Sequence, residues 1–127
     1  MPWNDQRPMS PHLQIYRLPL TALLSVLHRA TGAALFLAML IMVLVLLALA
    51  SGEQYWIIMH NILSSWFGLI ILMAMTFSLY YHLCNGIRHM IWDLGLAMEK
   101  NSLKKSGLLV LFSSVFLTLI TWLIAYL

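Results

Sequence analysis

The chain has 127 residues, of which 62% are hydrophobic and only 9% charged, with seven Lys and Arg against four Asp and Glu. A soluble domain carries roughly a quarter of its residues charged, so this composition excludes one and points to a membrane protein. Cys84 is the one cysteine, which excludes an internal disulfide, and a single thiol is no metal site.

Residues 1–19 are polar and punctuated by Pro2, Pro8, Pro11 and Pro19, which predicts an extended arm with at most a short interfacial helix, of the kind that contacts a partner. The arm has no apolar core of the signal-peptide type, so the first membrane span is expected to be its own insertion signal. Three gaps free of charge follow, Ala30–Gly52, Gln54–Ile87 and Ser106–Leu127, each at least as long as the ~20 residues that cross a bilayer. They predict an all-α membrane protein with three transmembrane helices, at about 22–50, 57–92 and 106–126, in a single membrane-anchor domain over 1–127.

The first span is apolar all round and should face lipid over much of its circumference. The second opens on the polar Tyr55–Asn61 stretch, and one helix over 57–92 is long enough that it must tilt or protrude. All seven basic residues lie in the arm, at its junction with the first span, or around the 93–105 loop, while the turn between the first two spans carries only Glu53. The positive-inside rule therefore predicts the N-terminus and the 93–105 loop on the cytoplasmic or matrix side.

Two polar clusters interrupt the apolar pattern. Ser25, His28 and Arg29 share one helical face at the start of the first span. They read either as interfacial groups snorkelling to lipid headgroups or as a hydroxyl and a guanidinium offered to a carbonyl-bearing or anionic ligand. His82, His89 and Asp93 lie on one face closing the second span. His82 and His89 are about 10 Å apart along a helix, so they cannot both hold one iron from opposite sides.

His60, about 33 Å before His82 on an unbroken helix, belongs to the opposite membrane face and reads as interfacial. Antiparallel spans would bring His28, Arg29, Arg88 and His89 into one layer, with His82 one to two turns deeper. That layout suits a haem held by His82 with propionates toward Arg29, His28 and Arg88, and it also suits a proton relay or helix-to-helix hydrogen bonds. A small transporter would want a charged group in mid-span, and the span interiors have no Asp, Glu, Lys or Arg. Two polar clusters at membrane depth need partners that three helices are a thin bundle to supply, so a hetero-oligomer, or at least a dimer, is expected.

Three blocks carry a family resemblance: Arg7-Pro-Met-Ser-Pro-His-Leu-Gln-Ile-Tyr16, Ser25-Val-Leu-His-Arg-Ala-Thr-Gly32, and His82 through Asp93. In order and spacing they resemble the larger cytochrome b anchor subunit of succinate dehydrogenase, respiratory complex II. The likeness covers essentially the whole chain. It implies that His82 is an axial ligand of one haem b shared with a small anchor subunit, and that Ser25 and Arg29 line a ubiquinone site. It further implies that His28, Arg29, Arg88, His89 and Asp93 surround the haem propionates or give protons access. Its expected partners are an iron–sulfur subunit, a flavoprotein subunit, the small anchor and membrane lipid, with no nucleic acid. The expected location is a bacterial or mitochondrial inner membrane. The same resemblance accommodates an anchor of a quinol:fumarate reductase, or a haem-free structural anchor.

Overall fold

The computed structural model describes residues 17–127, and the arm block Arg7–Tyr16, with His12, lies outside the described residues. The described residues form helices α1 (Leu20–Ser51), α2 (Glu53–Ser64), α3 (Trp66–Asp93) and α4 (Lys100–Tyr126), with no strand among them. Three of these, α1, α3 and the Asn101–Tyr126 part of α4, are long and apolar enough to cross a membrane. The 12-residue α2 covers about 18 Å and is too short.

Each helix end has a local cause. Pro19 precedes α1 in extended conformation, where its missing N–H costs nothing, and its carbonyl accepts from the amides of Ala22 and Leu23. Gly52 stops α1 at φ 114°, a region that side chains avoid, and its carbonyl then accepts from the amides of Tyr55 and Trp56 to start α2.

The single helix expected over 57–92 is two helices, parted at Ser65. Ser65 is extended (φ −63°, ψ 155°); its hydroxyl donates to the Ile62 carbonyl at 2.6 Å and accepts from the Gly68 amide at 3.1 Å. Ser64 donates to the His60 carbonyl at 2.7 Å and lies 3.4 Å from the Asn61 carbonyl, whose usual helical donor, the Ser65 amide, turns to Ile62 instead. Two serines thus satisfy backbone groups that a helix break at the membrane edge would otherwise orphan. Gly68 completes the bend, because a Cβ there would meet the Ile62 and Leu63 carbonyl oxygens. The excess length read as tilt or protrusion is spent on the separate helix α2.

α3 is the central element and runs antiparallel to both α1 and α4. Its Tyr81 is fully buried and donates its hydroxyl to the Leu24 carbonyl of α1 at 2.8 Å. Toward α4 the interface is made of small and hydroxyl side chains: Gly107, Val110, Ser114 and Thr118 are buried at helical spacing. Ser114 and Thr118 return their hydroxyl protons to carbonyls of their own helix. Lipid removes the hydrophobic drive between apolar helices, so close approach of small residues holds them together. The large apolar side chains point outward; on α1 only Leu24 and Thr31 are buried.

α4 starts at Lys100, ahead of the expected 106, because Leu103 and Ser106 dock on α3. The connection is a turn with Gly95 and Ala97 at positive φ.

Replacing Gly68 with Ala should lower the thermal unfolding midpoint of the detergent-solubilised protein, at a cost of roughly 1–3 kcal/mol for the overpacked bend. An unchanged midpoint would show that the bend opens freely.

Candidate functional site

His82 faces α1, where the polar turn His28–Gly32 awaits it. The His28 and His82 rings stack with centroids 4.0 Å apart and planes 13° from parallel. His82 Nδ1 lies 3.2 Å from the His28 carbonyl oxygen and 3.4 Å from Thr31 Oγ1. Thr31 donates its own proton to that same carbonyl at 2.9 Å, so both oxygens face Nδ1 as acceptors. The hydrogen-bond pattern therefore assigns the ring proton to Nδ1 and leaves the Nε2 lone pair free. An Nδ1–H bonded to a carbonyl is the usual support of a metal-binding imidazole.

His28 is the hinge of a three-ring column. Its ring also lies 5.3 Å from that of His89, which in turn meets Trp92 edge-on at 4.9 Å. His28 Nδ1 is buried and has no hydrogen-bond partner among the described residues, an unmade bond that a ligand acceptor would complete. Ser25 is half-buried and Arg29 exposed on α1, and Asp93 is exposed at the end of α3. His60 sits on α2, beside Trp56, at the other end of the bundle.

The structure thus gathers His28, His82 and His89, and places Ser25 and Arg29 on the adjoining rim. It does not bring Arg88 into that layer. Arg88 is 4% exposed and turned to α4: Nε donates to Ser106 Oγ at 3.0 Å, one terminal nitrogen to the Leu103 carbonyl at 2.9 Å, and the other to Asn85 Oδ1 at 3.2 Å. Its guanidinium also covers the Trp92 ring at 4.1 Å. The physical reason is helical phase. Tyr81, Asn85, Arg88 and Trp92 fall at spacings of four, three and four, on the stripe buried against neighbours, about 100° from the His82–His89 stripe. Arg88 is a clamp between α3 and α4, held by neutral partners.

The residues that hold others carry no role in the sequence reading: Thr31 and Gly32 stand in the Ser25–Gly32 block without one, and Asn85 and Ser106 are not singled out. The first two stand three and four positions after His28, a spacing that was available as a signal. Asn85 could have been found as the i−3 neighbour of Arg88 on its stripe.

No group of three or more His, Cys, Asp or Glu side chains is arranged to hold a metal among the described residues. What the geometry offers is one preset imidazole, able to complete a metal complex that brings its other ligands with it.

Comparison with known proteins adds to this. Residues 4–121 match the family model described as succinate dehydrogenase/fumarate reductase transmembrane subunit. The chain is 37% identical over 118 residues to the succinate dehydrogenase cytochrome b556 subunit of Rickettsia felis, covering 93% of this chain and 92% of that one. It is 36% identical to the cytochrome b556 subunit of Paracoccus denitrificans over 123 residues (97% and 95% covered). A mitochondrial relative, the succinate dehydrogenase cytochrome b560 subunit of Reclinomonas americana, is 36% identical over 127 residues (95% and 88% covered).

Arg88→Ala should strip α4 of its anchor on α3. Three charge-assisted or buried bonds are lost, and a net cost on the order of 3 kcal/mol is expected. Proteolytic nicking in the 94–99 turn should accelerate, with Arg88→Lys intermediate; a nicking rate equal to wild type would remove the clamp assignment.

Proposed function

This chain belongs to the succinate dehydrogenase/fumarate reductase transmembrane subunit family, and from that premise we propose that it supplies one axial haem ligand, His82, and the Ser25–Arg29 edge of a quinone-reducing site. The family places it as a multi-pass inner-membrane anchor subunit of a succinate dehydrogenase, an oxidoreductase complex. The succinate-oxidising centre lies outside this chain, in flavoprotein and iron–sulfur subunits, and a small second anchor would supply the other haem ligand.

The observation that carries the haem assignment is the His82 imidazole itself, with Nδ1 bonded to a backbone carbonyl and Nε2 bonded to no described residue. The surroundings fit a haem: the guanidinium of Arg29 is a donor of the kind that propionate carboxylates take, and His28 Nδ1 is a buried polar atom left without a partner beside the His82 ring. A b haem held there would supply a one-electron store. His89 and Asp93, at the open end of α3, are placed to pass protons inward from the water-facing rim. Arg88 is left out of the propionate shell, since its donors are engaged with Ser106 and Leu103 of α4 and with Asn85 of α3.

For the quinone, Ser25 and Arg29 stand one turn apart on α1. Arg29 would hold a carbonyl oxygen and stabilise the negative charge that develops there on reduction, while Ser25 donates a hydrogen bond. The excess of basic residues at this end supports its assignment to the cytoplasmic or matrix face, where the soluble subunits dock. The outward apolar faces leave room for the second anchor's helices, because α1 buries no residue after Thr31.

His82→Ala should abolish or severely perturb the low-spin haem spectrum of the purified complex, read as a reduced-minus-oxidised difference; an unchanged spectrum removes the ligand assignment. Ser25→Ala and Arg29→Ala should each depress succinate–quinone reductase activity at least tenfold, as loss of a hydrogen bond to a developing charge does. Succinate oxidation by a soluble dye should stay near wild type. Equal loss of both activities would mean failed assembly and would count against the quinone assignment.

A further inference from the structure

We propose that Thr31 and Gly32 are positioning residues for His82: with the His28 carbonyl they form a socket on α1 that fixes the ring proton on Nδ1 and sets the plane of the imidazole. This rests on the reading of His82 as a haem ligand.

Three contacts define the ring. Its face is set by the stacked His28 ring at 4.0 Å. Its proton is set by two oxygens from one turn of α1, the His28 carbonyl at 3.2 Å and Thr31 Oγ1 at 3.4 Å. Its remaining edge is set by the absence of a side chain at residue 32, where a Cβ would stand 3.2 Å from Cε1 and 3.7 Å from Nδ1.

Each contact excludes an alternative. Flipping the ring by 180° would exchange Nδ1–H for a carbon and present C–H to two acceptors, which leaves Thr31 Oγ1 without a donor and the His28 carbonyl with the Thr31 hydroxyl as its one side-chain donor. A neutral tautomer with the proton on Nε2 would set a lone pair against both oxygens. A methyl at residue 32 would stand closer to Cε1 than ordinary van der Waals packing, so the ring would have to shift by a few tenths of an ångström against the His28 face. Thr31 is 4% exposed and its proton is already committed to the His28 carbonyl at 2.9 Å, so its oxygen can only accept from His82. Acceptors on the far nitrogen of a ligating imidazole raise its basicity and hold its orientation.

The test compares Thr31→Val, Thr31→Ser and Gly32→Ala in the assembled complex, with the haem midpoint potential and the low-spin electron paramagnetic resonance signal as readouts. Valine keeps the shape and removes the oxygen, which weakens the imidazole as an electron donor and disfavours the oxidised iron. The midpoint potential should therefore shift upward in Thr31→Val and return to the wild-type value in Thr31→Ser. Gly32→Ala should shift the resonance signal and lower the haem content per complex. Wild-type potential and signal in Thr31→Val and Gly32→Ala overturn the socket. Should Gly32→Ala fail to assemble, the two Thr31 variants decide alone, and equal potentials in them overturn it. His82→Ala separates the two failures. Loss of the haem spectrum there, with no change in the socket variants, sinks only the socket; retention of the spectrum sinks the ligand reading and the socket together.

Discussion

Inside a bilayer no water is available to complete an unmade hydrogen bond, and every irregularity in this chain is arranged around that constraint. The break at Ser65 is possible because two consecutive serine hydroxyls replace the missing helical partners. Hydroxyls buried between α3 and α4 turn back to carbonyls of their own helices, so they add small, close-packing surface without adding unsatisfied groups. Tyr81 and Arg88 are buried and reach across to other helices, whereas His28 Nδ1, Asn85 Nδ2 and Trp92 Nε1 stay without a partner among the described residues. Those reaches fix the positions of α1 and α4 against α3.

α3 accordingly has two faces with different tasks. The stripe Tyr81, Asn85, Arg88, Trp92 is turned inward; Tyr81 bonds to α1, and Arg88, braced by Asn85 and stacked on Trp92, bonds to α4. The stripe His82, His89 faces the start of α1 and is open on its outer side, with both rings half-buried. A buried cation held by neutral oxygens is expensive, and what it does here is register α4 on α3, since lipid gives apolar helices no reason to align. Fixing α4 and α1 to one stripe leaves the neighbouring stripe rigid and unencumbered.

Much of this was legible in the sequence. Charge-free gaps gave the three spans, and the seven-residue spacing of His82 and His89 separated one from the other before any coordinates. The paired signatures around His28 and His82 pointed to the family that the comparisons show. Two features were misread for identifiable reasons. The Ser65 break has no proline or glycine at the break itself, and apolar residues flank it on both sides, so hydropathy ran straight through it. Only Gly68, three residues on, betrays the close approach. Arg88 was grouped with His89 because they are adjacent in sequence, although adjacent helical residues point about 100° apart. Phase, applied to the histidines, was not applied to the arginine.

The same geometry explains why the ring column and the rim differ in exposure. His28 and His82 are held by each other and by the Thr31–Gly32 turn, with one buried nitrogen still unpaired. Ser25, Arg29 and Asp93 hang from the outer surface, half-buried or exposed. The exposed Arg29 guanidinium and the half-buried Ser25 hydroxyl need polar partners at this end of the bundle, from headgroups, water or another subunit's surface, because at membrane depth an unpaired charge is costly. The preset imidazole is held by this chain's own residues, whereas the rim side chains have no such support from it; under the proposed function, partner subunits would complete the rim. That division matches a subunit whose interior positions one ligand rigidly while its surface contributes single residues to a shared pocket.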